Sequence, residues 1–112
     1  MAIKTDKPTV FDEAAIEAWQ GEEKNKSRGK IQKIQFESDV NAEPASFWIA
    51  KPNRQQIAII TDLASKSTEK GNDLLINTCV LAGDLDQLKD DDDMYWGLLE
   101  NVSGLMNAKK KL

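Results

Sequence analysis

The sequence predicts an α+β fold: a β-hairpin packed against three C-terminal helices, with a short helix ahead of the hairpin. Three observations predict it. The run from Ala45 to Ala64 changes hydrophobic period midway, so that Phe47 and Ile49 alternate as on a strand while Ile57, Ile60, Leu63 and Ala64 recur at helical spacing. Upstream, Ile34 and Phe36 alternate with Lys33 and Gln35, the pattern of a half-buried strand. Downstream, Tyr95, Leu98, Leu99, Val102, Leu105 and Met106 mark one apolar face of a final helix. Strands come early and helices late, with no internal repeat, which argues against an alternating α/β sheet.

Each element follows from local chemistry. Residues 1–10 are polar, contain Pro8 and read as a loose arm. A short helix is expected over 11–23, because Asp12 and Glu13 suit the positive end of a helix dipole. Ala15, Ile16 and Trp19 give that helix a narrow apolar stripe, and Gly21 with the charged run after it ends it. Residues 27–30 form a turn. The first strand spans 30–37 and the second 45–50, joined by a polar loop with Asp39, Asn41 and Pro44. Two strands alone are marginal and need helices on one face.

Pro52 suits the first turn of the next helix, with Asn53 the competing cap; this helix runs to about residue 66. Residues 65–72 read as a loop, and Asn72 or Asp73 caps a third helix over 74–82 that Gly83 stops. Residues 84–89 make a single turn. Asp90 to Asp93 open the last helix and Lys109 to Lys111 close it, acid and base each complementing the dipole. The core is expected to hold Ile34, Phe36, Phe47, Ile49, Ile57, Ile60, Leu75, Cys79, Leu98 and Val102. The polar arm and first helix occupy 1–28 and a single α+β domain occupies 29–112.

Composition narrows the function classes. At 112 residues and 40% hydrophobic, the chain suits one modest core. Its formal charge is -4, from 15 basic and 19 acidic residues, whereas nucleic-acid binders usually show a basic excess. Lys24, Lys26, Arg28 and Lys30 adjoin Glu22 and Glu23 with no interleaved aromatic, so a solvated linker is preferred to a phosphate site. Nucleic acid is therefore not the expected partner. One cysteine permits no intrachain disulfide, and one Cys without any His makes no zinc cluster. Cys79 lies in an apolar run and reads as a buried small hydrophobe rather than a reactive thiol. No apolar run approaches the roughly 20 residues that span a bilayer, and residues 1–8 lack the apolar core of a signal peptide. A cytoplasmic setting is expected.

No constellation marks an enzyme. A calcium loop starting at Asp84 wants an oxygen ligand and then a glycine where Leu88 and Lys89 stand. The acidic run 84–93 thus reads as a solvated helix start, with weak divalent-ion binding as the alternative. Paired carboxylates need a pocket to separate their pKa values, and there is no histidine to act as a base near neutral pH. The expectation is a non-enzyme without cofactor or metal. Lys51 to Arg54 reads as a strand-to-helix turn, with a recognition loop as the alternative.

Several short motifs occur in one order. They are a strand led by Gly29 and Lys30, an aromatic strand ending in Lys51-Pro52-Asn53-Arg54, a helix, the segment Asn77 to Asp84 with Cys79 and a Gly-Asp stop, and an acidic entry to a last helix. Over 29–112 this order resembles the tail assembly chaperones of tailed phages and related prophage proteins. The resemblance implies a non-enzymatic phage assembly factor that binds a tape measure protein, keeps its apolar helices soluble and helps recruit tube subunits. It also implies, in many such systems, a longer form made by ribosomal frameshift. The alternatives are a virion structural component of capsid or tail, and a generic intracellular protein-interaction module. Candidate partner-binding residues are Ile16, Trp19, Trp48, Tyr95, Trp96, Leu99 and Met106, with a homo-oligomer possible. The three tryptophans fall in different elements, which suits dispersed anchors rather than one aromatic platform.

Overall fold

The computed structural model describes residues 3–39, 41–109 and 111. In chain order its elements are helix α1 (Glu13–Gly21), a 3-10 helix (Glu23–Arg28), strands β1 (Gln32–Phe36) and β2 (Ala45–Ile49), helices α2 (Arg54–Lys66) and α3 (Thr68–Cys79), strand β3 (Val80–Gly83), a second 3-10 helix (Leu85–Lys89) and helix α4 (Asp92–Gly104). The fold is α+β, with the expected hairpin: β1 runs antiparallel to β2, Ile34 opposite Phe47 and Phe36 opposite Ala45. Phe36 and Phe47 meet edge to face with centroids 6.0 Å apart, a cross-strand contact of the favourable aromatic kind.

The sheet has a third strand that the sequence reading lacks. Where the spacing predicts a helix through 74–82, α3 ends at Cys79 and the chain enters β3 directly, antiparallel to β2 on the side away from β1. The Ala50 amide donates to the Cys79 carbonyl at 2.9 Å, so sheet pairing begins where the helix stops. Asp84 prolongs it, its amide donating to the Ser46 carbonyl at 3.1 Å while its carboxylate accepts from the Ser46 amide at 2.9 Å. Gly83 permits this close approach. Its φ is 147°, and a Cβ there would lie 2.5 Å from the Ser46 carbonyl oxygen and 2.7 Å from the Phe47 ring.

Cap chemistry sets the helix starts. Asn53 and Gln56 exchange side-chain-to-backbone bonds of 2.8 and 2.9 Å, a capping box that makes Asn53 the cap and leaves Pro52 outside α2. Ser67 caps α3 by accepting from the Lys70 amide at 3.3 Å. The segment 68–72, read from sequence as loop, is therefore the start of α3, and Asp73 lies inside the helix. With Ser67 alone between them, α2 and α3 pack closely; a Cβ on Gly71 would fall 2.5 Å from the Ala64 Cβ. Asp91 caps α4 at 3.0 Å from the Met94 amide. That helix ends at Gly104, so Lys109 and Lys111 lie beyond it rather than closing it, and Lys110 is outside the described residues.

Phe47, Ile49, Ile60, Leu75, Cys79, Leu98 and Val102 are buried as expected, while Ile34 and Phe36 pack on the margin of the core and Ile57 is half-buried. Ile3, Ala45, Ile76, Val80, Leu85, Leu88, Met94, Tyr95 and Leu99 complete it. Each such large side chain contributes about 1.5–3 kcal/mol when fully buried.

Ile3 belongs to a segment that is not loose. The Lys4 amide donates to Asn77 Oδ1 at 2.8 Å, and the Pro8 carbonyl accepts from the Gly83 amide at 3.0 Å. The Lys7 ammonium donates to the Asn77 carbonyl and, at 2.6 Å, to the Val80 carbonyl. The Asn77 carbonyl is one that the end of α3 leaves without a helical donor and the Val80 carbonyl belongs to β3, and a cation there also suits the negative end of the dipole. The sequence reading misses this because the acceptors lie far along the chain.

Candidate functional site

The last helix presents two faces with different fates. Met94, Tyr95, Leu98, Leu99 and Val102 are buried within the chain, so the stripe expected to meet a partner is occupied internally. The Tyr95 hydroxyl donates to Asp73 Oδ1 at 2.9 Å and ties α4 to α3. Burial, reinforced by the Asp73 hydrogen bond and charge, pushes the Tyr95 phenol up to about 12.

Trp96 falls on the other face and is 60% exposed. Its ring stands edge to face on Tyr95, with centroids 5.6 Å apart, which fixes its direction. Helical spacing places Asp92 and Asp93 one turn before it and Glu100 one turn after it, all three exposed. Among the described residues none of these carboxylates is in an ion pair. Asp39, Asp86 and Asp90 to Asp93 line an adjoining open hollow of about 520 Å³, which extends the negative field around the start of α4.

A second surface lies where α2 begins and α4 ends. Ile57, Leu105 and Met106 line a groove of about 360 Å³ together with Pro52, and Lys51 and Arg54 stand on its rim. Lys51 and Arg54 are exposed, and among the described residues neither is in an ion pair.

The other tryptophans are placed differently. Trp48 alternates with Phe47 and Ile49, so it faces away from the core; it is 7% exposed and lies under the Lys33 ammonium at 5.1 Å. Trp19 is half-buried beneath the Arg28 guanidinium, 5.2 Å from the ring centroid. Arg28 itself is buried, its Nε donating to the Lys51 carbonyl at 2.9 Å and Nη2 to the Thr78 carbonyl at 2.8 Å. It is therefore a structural residue and not part of a solvated basic linker, although burial lowers its pKa.

Two groups with nucleophilic potential are held in structural roles. Burial pushes the Cys79 thiol up to about 12, so it carries no thiolate near neutral pH. Burial, with the nearby Lys4 charge, brings the Lys7 amine down to about 8, but its protons point at the Asn77 and Val80 carbonyls. Among the described residues, no group of three or more His, Cys, Asp or Glu is placed to hold a metal ion. No helix among them is long and apolar enough to cross a membrane.

The seven candidate partner residues do not form one surface. Tyr95 and Leu99 are core, Trp48 is covered, and Ile16 and Trp19 are half-buried on α1. Only Trp96 is strongly exposed, and Met106 lines the separate groove. Sequence reasoning offers Lys51 to Arg54 as a recognition loop only as the alternative, does not assign Ile57 and Leu105 to a groove, and misses Ile59, which is 61% exposed on α2. A signal exists for Ile59: Ile57, Ile59 and Ile60 cannot all share one helical face. No family model, curated protein or solved structure matches the chain.

Proposed function

We propose that this chain is a non-enzymatic assembly factor of the phage tail chaperone type, which binds apolar helices of a tape measure protein and keeps them soluble until the tail is built. The observation that carries the reading is the exposed, directionally fixed Trp96 with its rim of Asp92, Asp93 and Glu100. Tryptophan is among the residues that most often dominate binding energy. A carboxylate rim favours a helix whose apolar stripe is bordered by Lys or Arg and repels acidic competitors. The contact is helix against helix face, through Trp96 rather than through the full stripe of α4. The resemblance over residues 29–112 supplies the partner class, the recruitment of tube subunits and action in the bacterial cytoplasm.

Hydrogen exchange with and without a candidate tape measure protein tests this. Protection is expected to rise in residues 92–104 of the wild-type chain and not in Trp96→Ala, and the partner should aggregate when the chain is omitted. A complex that leaves both 92–104 and 11–23 unprotected would sink the proposal. Many copies of the chain in purified virions would replace it with a structural role in the particle.

A further inference from the structure

We infer that the outer edge of β1 is a strand-addition site, taking an extended segment of a partner protein in which apolar residues alternate with acidic ones. The two edges of the sheet differ. Beside β3, residues 3–8 cover the margin: the Gly83 amide donates to the Pro8 carbonyl at 3.0 Å, and the Lys7 ammonium to the Val80 carbonyl at 2.6 Å. On the other side the sheet ends at β1. The register shows which groups are left there. The Ser46 carbonyl accepts from the Asp84 amide and the Ser46 amide donates to the Asp84 carboxylate, so the Ser46 backbone points toward β3. Gln35 stands opposite Ser46, so theirs is a non-hydrogen-bonded pair and the Gln35 N–H and C=O point outward. Period two sends those of Lys33 the same way. The Ile31 amide, next in that series, donates to Gln20 Oε1 at 3.0 Å. Among the described residues nothing bonds to the outward groups of Lys33 and Gln35.

The surroundings of these groups define the occupant. Their spacing is matched by another extended backbone and not by a helix. Ile34 and Phe36 face the core side and are half-buried, with α4 against them: a Cβ on Gly97 would fall 3.1 Å from the Phe36 ring. Apolar residues of an added strand extend that row and cover its margin. On the opposite face Lys33 is exposed, with its ammonium over Trp48. Residues 24–36 contain no Asp or Glu, and among the described residues neither Lys30 nor Lys33 is in an ion pair. Carboxylates on that face of the incoming segment therefore gain opposite-charge partners. Edges are commonly blocked by a proline or a bulge, and β1 has no proline and pairs with β2 without a register shift. The site goes beyond the assembly-factor reading, since it uses neither Trp96 nor a helical partner.

Residue-resolved NMR hydrogen exchange on the full chain tests the inference, with a short synthetic peptide alternating valine and glutamate as the probe. In the chain alone the Lys33 and Gln35 amides should exchange fast, and those of Ile34 and Phe36, which face β2, slowly. Saturating peptide should slow Lys33 and Gln35 by about tenfold or more. A peptide of valine and lysine should bind more weakly, and Lys33→Glu should narrow or reverse that order. Gln35→Pro removes an outward amide and leaves the β2 ladder intact, so it should retain the circular dichroism spectrum and lose the peptide. The valine–glutamate peptide N-methylated at every amide should fail to bind the wild-type chain, a result independent of how Gln35→Pro folds. Binding that survives N-methylation is side-chain docking and overturns the inference. So does a peptide that displaces residues 3–8 and perturbs Gly83 instead, equal binding of the two peptides, or no protection at any soluble peptide concentration. Protection of Lys33 and Gln35 that grows with protein concentration alone assigns the edge to a second copy and overturns it too. No arm includes a tape measure protein, so failure here is distinct from failure of the assembly-factor reading.

Discussion

Replacing Tyr95 by phenylalanine removes a single oxygen from the junction of α3 and α4. The ring and its edge contact with Trp96 are kept, while Asp73, 4% exposed, loses the hydroxyl donor at 2.9 Å. Asp73 keeps other interactions, so it is not stranded. A hydrogen bond to a charged group contributes about 1.5–3 kcal/mol, which puts the expected loss at about 2 kcal/mol. For a domain of this size that lowers Tm by roughly 6–12 °C. The pH dependence tests whether the folded chain holds the hydroxyl protonated, through burial first and the Asp73 bond second. The folded chain holds the Tyr95 proton up to about 12, whereas an unfolded tyrosine releases it near 10.0. A raised folded pKa gives stability that is full below pH 10 and drains away as pH climbs toward 12. Urea titrations of both proteins from pH 7 to 11.5 should therefore show a constant gap up to about pH 10 that narrows above it. If the gap is absent at pH 7, or stays constant to the alkaline end, Tyr95 does not hold α4 through Asp73.

Two further perturbations test other parts of the fold. Gly83→Ala should cost about 2–4 kcal/mol in urea unfolding, since it strains a positive φ and drives a Cβ into the Ser46 carbonyl; unchanged stability would refute the β2–β3 register. For Lys7 the sign is reversed, because its folded pKa of about 8 lies below its ordinary 10.5. Tm should thus rise slightly as pH moves from about 8 to 9, before Cys79, raised from 9.0 to about 12, begins to lower it. Lys7→Met should abolish that rise; a rise that persists in the variant would show that Lys7 is not its source.

The legible parts of this chain are those whose causes are local. The hairpin strands are announced by alternation at Ile34, Phe36, Phe47 and Ile49, and the starts of α2 and α4 by the cap residues Asn53 and Asp91. Strand β3 is not legible in the same way. The apolar run 74–82 suits either a helix or a buried strand, and the choice at Val80 is made by β2, which lies about thirty residues earlier in the chain. Buried Arg28 and Asp73 and half-buried Lys7 escape for the same reason, since a charge is assigned to solvent unless its partner is in view. Trp96 was recoverable because it steps off the stripe of Tyr95, Leu98, Leu99 and Val102. The groove was not, being assembled from residues 51–57 and 105–108.

The tie between residues 3–8 and residues 77–83 also sets an order in time. During synthesis the earlier segment leaves the ribosome well before its acceptors exist, with sequence separations of 70 for the Lys7–Asn77 contact and 73 for Lys7–Val80. The hairpin and the paired helices can form while it waits, because their contacts are shorter in range. Until residues 3–8 dock, the outer margin of β3 is a bare template for strands of neighbouring nascent chains. A bulky fusion placed just ahead of residue 3 would prolong that interval, so yield of dispersed protein should depend on which end of the chain carries an added tag.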